Sequence, residues 1–367
     1  MIENRRLGAP KIDRPDEFMC DYETGDIDDI YDKVKDSLVE QGFSIREGRY
    51  AIADKDFAVN NPGNPYLAYY FKGRTEPGPR FTFKLQPGSA VLFVGCTPGA
   101  SEYFSWQTYA FIHQRSMVFA SLADSINHLV INTTQSGGSW TGSELEDPRG
   151  KLTAIITTAD ATTFSTIGTA LDEAGAPSGI INLDPIPSNR VDMINDPSLN
   201  FMMLMRPVVW YDDEEKQKYF SQISRVFLID PPSDQEFDPI PEVPARPMGD
   251  GTFEIEQPGV SEDLAKLHDN IIDSMNQVSY RLRSNETMDD MTPIGFECLE
   301  QLTYCLGDSR DARYFGYNQT DAFKRRDVYV VVGTNSHETG KVSYSNIGLY
   351  VHQEIPKIQL LLHRWIR

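Results

Sequence analysis

Three histidines, His113, His337 and His352, are the residues of this chain best suited to acid–base chemistry, because imidazole titrates near neutrality. Two of them end matching stretches. Residues 90–114 read AVLFVGCTPGASEYFSWQTYAFIHQ, and residues 328–353 read VYVVVGTNSHETGKVSYSNIGLYVHQ. Each opens with a β-type apolar run closed by a glycine, Gly95 or Gly333, then crosses a small polar loop and ends in His-Gln. Aligned back from the histidines, Gln107 meets Asn346 and Phe111 meets Tyr350; one inserted loop residue brings the glycines together. The pattern predicts an internal duplication.

Side chains in a strand alternate between two faces. Tyr103, Gln107, Tyr109 and His113 therefore share one face, and Tyr344, Asn346, Tyr350 and His352 share the corresponding face of the second copy. An aromatic surface carrying amide, hydroxyl and imidazole groups can line a pocket for a small polar molecule. On this reading His113, His352 and His337 are the catalytic candidates. Tyr103, Gln107, Asn346 and Tyr350 bind substrate, joined by Asn335 and Glu338 from the polar loop of the second copy. The competing reading leaves the same face in solvent or packs it under a helix, with its polar tips satisfied.

Other groups are weaker. The loop 95–101 is rich in small residues but lacks the Lys-Ser/Thr of a phosphate-binding loop. Cys96 within it is a candidate nucleophile with His113 as base. Asp160 follows an expected strand, where it serves either as an acid/base residue or as the cap of the next helix. A metal held by paired histidines needs a third ligand, and no HxH or HExxH spacing supplies one, so no metal and no cofactor are expected.

The elements that must position these residues read as follows. Asp26 caps a helix with Ile27, Ile30, Val34 and Leu38 at helical spacing and Gly42 beyond its end. Short β-type runs lead to the 90–114 stretch. Residues 115–127 fit either a short helix or a strand followed by a turn. Strand 151–157, helix 163–174 and strand 179–183 have the spacing of a parallel crossover. An apolar run over 201–209, broken only by Arg206 and Pro207, a helix over 212–223 and a strand over 225–229 follow. Residues 231–250, dense in proline and acid, read as a linker. Beyond it Leu264, Leu267, Ile271, Met275, Val278 and Leu282 form one helical stripe suited to core packing. Cys298 and Cys305 fall on a second helix, two turns apart and too distant for a disulfide. Residues 358–366 form a last strand or helix.

These elements predict an α/β or α+β protein of two similar β-rich halves: an arm over 1–25, a first α/β unit over 26–230, the linker, and a second β-rich unit over 251–367. A net charge of −20 on 367 residues argues against nucleic acid, which calls for a basic stripe. No apolar run of membrane-spanning length and no apolar signal core occur, so a soluble protein with no membrane partner is expected; a leader removed before residue 1 would leave the same sequence. The expected function is a hydrolase or lyase acting on a small polar substrate between the halves. The alternative is a non-catalytic ligand-binding or self-assembling protein, and a homo-oligomer fits either.

Overall fold

Ile30, Tyr31, Val34 and Leu38, at helical spacing, are all buried, and they fix the inner face of α1 (Thr24–Glu40). This helix lies where the sequence places it, and Gly42, at φ +89°, ends it in a conformation that glycine adopts without strain. The computed structural model describes residues 20, 24–53, 65–71, 81–134, 136–137, 147–222, 224–242, 244, 246, 252–319, 324–351 and 358–366.

After α1 come β1 (Ser44–Ile52), β2 (Leu67–Phe71), β3 (Thr82–Phe83), β4 (Ala90–Cys96), β5 (Ser101–His113), β6 (Ser116–Ser121) and β7 (Ile126–Asn127). A small pair, β8 (Asn132–Thr133) and β9 (Ser136–Gly137), precedes β10 (Leu152–Thr158), helix α2 (Ala161–Glu173) and β11 (Ile181–Pro185). Then follow β12 (Asn200–Trp210), α3 (Asp213–Ser221) and β13 (Ser224–Asp230). Residues 116–121 and 126–127 are thus strands, and no part of 115–127 is helical. Eleven of these strands form one mixed sheet in the order β11-β10-β4-β13-β1-β2-β12-β5-β6, with β3 beside β12 and β7 beside β5. β10 and β11 run parallel with α2 between them, as their spacing predicts. Asp160 is the cap of α2: its carboxylate accepts from the Thr163 N–H at 2.8 Å.

The sheet curls. Leu67, Tyr69, Phe93, Trp106, Met203, Met205 and Leu228 point inward to one core cluster, while α1 and α2 pack on the outer face over Leu92, Val94, Ile156 and Phe227. With both faces covered, β4 and β10 are buried throughout, which is why they read as unbroken apolar runs.

The C-terminal part holds α4 (Val260–Gln277), β14 (Asp289–Asp290), α5 (Gly295–Gln301), β15 (Ala312–Gln319), β16 (Val342–Val351) and β17 (Ile358–Ile366); its strands form an antiparallel sheet in the order β14-β15-β17-β16. Helix α5 and the chain after it belong to the large sheet's core. Cys298, Leu299 and Cys305 join the inner cluster, and the N–H groups of Cys305 and Gly307 donate to Val118 and Phe119 carbonyls at 2.7 and 2.9 Å, covering the outer edge of β6.

Several expectations are corrected. The duplication is not shown: β4 is buried, whereas residues 328–332 form no strand and Val328, Val330 and Val331 are exposed. Strands β5 and β16 lie in different sheets. Cys298 and Cys305 form a disulfide with Cα atoms 5.7 Å apart, because α5 stops at Gln301 and Leu302, at φ +53°, turns the chain back. Cys96 is bonded to Cys20 and is no free nucleophile. The stripe of α4 is not core, since no residue of that helix is buried. The linker segment packs along part of its length: Asp238 N–H donates to Asp160 at 2.6 Å, and Ile240 is buried.

Gly295 is where α5 touches the sheet. A Cβ there would lie 2.8 Å from both the Ser121 nitrogen and an Asp308 carboxylate oxygen. Gly295→Ala is therefore expected to lower unfolding stability by about 1–3 kcal/mol through overpacking, read from denaturant melts; an unchanged midpoint would show that α5 is not seated there.

Candidate functional site

The polar face of β5 is the packed one. Tyr103, Gln107 and Tyr109 are each at most 1% exposed, beneath the chain that runs from α5 into β15. Tyr103 donates to Asp311 at 2.7 Å, and Gln107 donates its amide N–H to the Ala123 carbonyl at 3.0 Å. The Arg206 guanidinium is buried among them. It donates to the Tyr109 hydroxyl and, at 2.8 Å, to the Gly307 carbonyl. Asp308 accepts from the Ser121 N–H and hydroxyl at 2.8 and 2.6 Å and from the Gly295 N–H at 3.0 Å. Burial pushes its carboxyl up, and the Ser121 bonds and Arg206 oppose that. Asp311 also accepts from Ser125 and, at 2.9 Å, from Asn127. This network clamps the 295–312 chain to the sheet, and its groups are spent on one another.

The other sequence-derived candidates do not gather in one place. His113 is 5% exposed; its Nδ1 lies 3.0 Å from Asp196 and its Nε2 lies 3.3 Å from the Gln114 amide. Asn335, His337 and Glu338 are exposed on a turn anchored elsewhere, where Thr339 donates to Glu254 at 2.6 Å and Lys341 donates to the Thr252 carbonyl at 3.1 Å. Asn346 and Tyr350 sit on β16. His352 lies outside the described residues. Among the described residues, no three His, Cys, Asp or Glu side chains are grouped to hold a metal ion, and no helix is long and apolar enough to cross a membrane.

Inside the curl sits an acid that the sequence reading passed over. Asp184, at the end of β11, is 2% exposed and accepts from Thr108 at 2.5 Å and Thr157 at 2.8 Å. Burial is the main influence on its carboxyl and pushes it up to about 6, although both threonines favour the ionised form. The Tyr69 hydroxyl and the Trp106 indole N–H, also buried inside the curl, have no hydrogen-bond partner among the described residues. An acid at the end of a parallel strand was the available signal.

One open cavity, of about 400 Å³, lies at the end of the sheet where β2 and β13 finish and β1 begins. Phe83, Leu85, Met193 and Leu199, all members of the inner cluster, form its apolar floor, and Ile194 stands exposed beside them. Arg46, Lys84, Asp196 and Asp230 supply its charges. The acids are engaged internally. Asp230 accepts from Ser89 at 2.6 Å, and Asp196 accepts from the Gln114 N–H at 2.7 Å and the Ser198 N–H at 3.0 Å. Burial works against Asp196, but those donors and His113 outweigh it and hold the carboxyl below its usual range. Arg46 is exposed, and its ion pair with Asp230 is loose at 3.8 Å, so most of its guanidinium donors are open to a ligand. Nothing in sequence reasoning pointed to these residues, because they converge from strand ends and loops far apart in the chain.

No protein-family model, curated protein or solved structure matches this chain. The assignment of function therefore rests on the chain's own geometry.

The interior acid gives a direct test. Asp184 titrates near 3.8 when exposed and near 6 in the fold, so its effect on stability is most favourable below pH 3.8 and is lost as pH rises through 6. Asp184→Asn keeps an acceptor for both threonines and carries no charge. Its stability relative to wild type is expected to rise by about 2 kcal/mol between pH 4 and pH 7. Parallel pH profiles would show Asp184 to be solvated instead.

Proposed function

We propose that this protein is a ligand-binding protein whose cavity at the end of the curled sheet takes a small molecule with an apolar body and an anionic group. The observation that carries this reading is the pairing of the apolar floor, Phe83, Leu85, Met193 and Leu199, with a guanidinium left largely open at the rim. The mouth of a curled sheet is a common place for such sites. Arg46 meets the anion, which a planar guanidinium can grip with two parallel hydrogen bonds. The reading needs no duplicated halves.

Calorimetric titration with a medium-chain carboxylate and with the alcohol of equal length tests it. The carboxylate is expected to bind more tightly, Arg46→Glu to remove that preference, and Ile194→Asp to weaken both ligands without lowering the melting temperature. Absence of binding by either amphiphile, or a preference untouched by Arg46→Glu, would sink the proposal.

A second reading, the hydrolase or lyase, rests on one contact. Asp196 belongs to the cavity wall and orients the His113 ring at 3.0 Å, the arrangement a general base requires. His113→Gln is expected to abolish turnover of a small polar ester or hydroxy acid by the intact chain while leaving the melting temperature nearly unchanged. Wild-type protein inert toward a panel of such compounds would count against an enzyme.

A further inference from the structure

All four cysteines of the chain are paired. Cys20–Cys96 ties the chain ahead of α1 to the end of β4, across 76 positions, and Cys298–Cys305 ties α5 to the segment that covers β6. Cys298 and Cys305 are buried among the inner cluster, which marks their bond as structural rather than as an exposed, exchangeable pair. Disulfides of this kind form and persist in oxidising surroundings, whereas cytosolic thiols are kept reduced. The same secretory route that oxidises cysteines attaches oligosaccharide to asparagine in Asn-x-Ser/Thr sequences.

Three such sequences occur, at Asn132, Asn285 and Asn318, and the fold separates them. Asn132 is part of the seam. Its side-chain amide donates to the Ile181 carbonyl at 3.0 Å, its backbone N–H donates to Asn182 at 2.7 Å, and Thr133 beside it is buried. A sugar on that nitrogen would break the contacts that hold β8 against β11. Asn318 lies within β15, paired with β17, and Thr320 of its sequence falls outside the described residues. Asn285 differs on every count. Asn285, Glu286 and Thr287 are all exposed, on a segment that belongs to no helix or strand. The Asn285 amide meets His268 Nε2 at 3.1 Å, a surface contact that water can replace.

We propose that this chain folds in a secretory compartment and carries an N-linked oligosaccharide on Asn285. In the transfer, the Asn285 side-chain nitrogen bonds to the anomeric carbon of a lipid-linked oligosaccharide. The bond from that carbon to the lipid's pyrophosphate breaks, the amide loses one proton and the lipid pyrophosphate leaves. Thr287 supplies the hydroxyl that the acceptor sequence requires, and Glu286 between them is compatible because only proline is excluded there. The proposal is independent of the cavity at the end of the large sheet.

Peptide mapping of the protein purified from its own cells tests it. After an amidase releases N-linked glycans in heavy-oxygen water, the Asn285 peptide is expected as labelled aspartate and the Asn132 peptide as unlabelled asparagine. Alkylation of the denatured, unreduced protein should find no free thiol. Secreted from a eukaryotic host, Asn285→Gln and Thr287→Ala should each lose the mass of one glycan, and Thr287→Ser should keep it. Both positions are exposed, so the melting temperatures of the deglycosylated variants should match that of the wild type. An unlabelled Asn285 in the native protein overturns the proposal. So do label on Asn132 with none on Asn285, cysteines that alkylate without reduction, or a glycan that survives Asn285→Gln unchanged in mass.

Discussion

The contact between Thr108 and Asp184 joins strands from opposite ends of the large sheet. Thr108 is on β5, next to one edge, and Asp184 is on β11 at the other, yet their oxygens are 2.5 Å apart. Only a sheet curled nearly shut brings them together. Thr157 on β10 holds the same carboxylate, and Asn182 tied to Asn132 reinforces the seam. A buried carboxylate without such donors would be strongly destabilising, so the position of Asp184 and the curl of the sheet constrain each other.

Closing the curl sets where chemistry can occur. The interior is filled by Tyr50, Tyr69, Phe93, Phe104 and Trp106, so the cavity forms at the end of the sheet, against the edge of that filling. The outer face of β5 is unavailable too. Arg206, Asp308 and Asp311 are committed to holding the 295–312 chain, and freeing one would strand a buried charge. Breaking such a pair costs several kcal/mol, which makes the network a fixture of the fold rather than a site open to exchange.

The same two segments that look alike in sequence illustrate how composition and environment part company. Residues 91–94 are buried in the middle of an eleven-stranded sheet, whereas residues 328–332 lie outside any strand with Val328, Val330 and Val331 exposed. Both are rich in valine, which favours a pleated surface only where neighbours supply one. The α4 stripe has the same lesson: its spacing states which residues share a face and leaves open what covers that face.

Local rules determined the pieces of this protein. Helical spacing gave α1, the Asp160 cap gave the start of α2, and the strand–helix–strand spacing gave the parallel pair β10 and β11, because hydrogen bonds and side-chain period act within a few residues. Alternation along β5 correctly grouped Tyr103, Gln107 and Tyr109 on one face. Only the tertiary structure decided that this face is sealed by the chain after α5, that Asp184 closes the sheet, and that Arg46, Lys84, Asp196 and Asp230 share a cavity. Those contacts join residues up to about two hundred positions apart, as Tyr103 and Asp311 are, and depend on strand order and curl, which no local periodicity encodes.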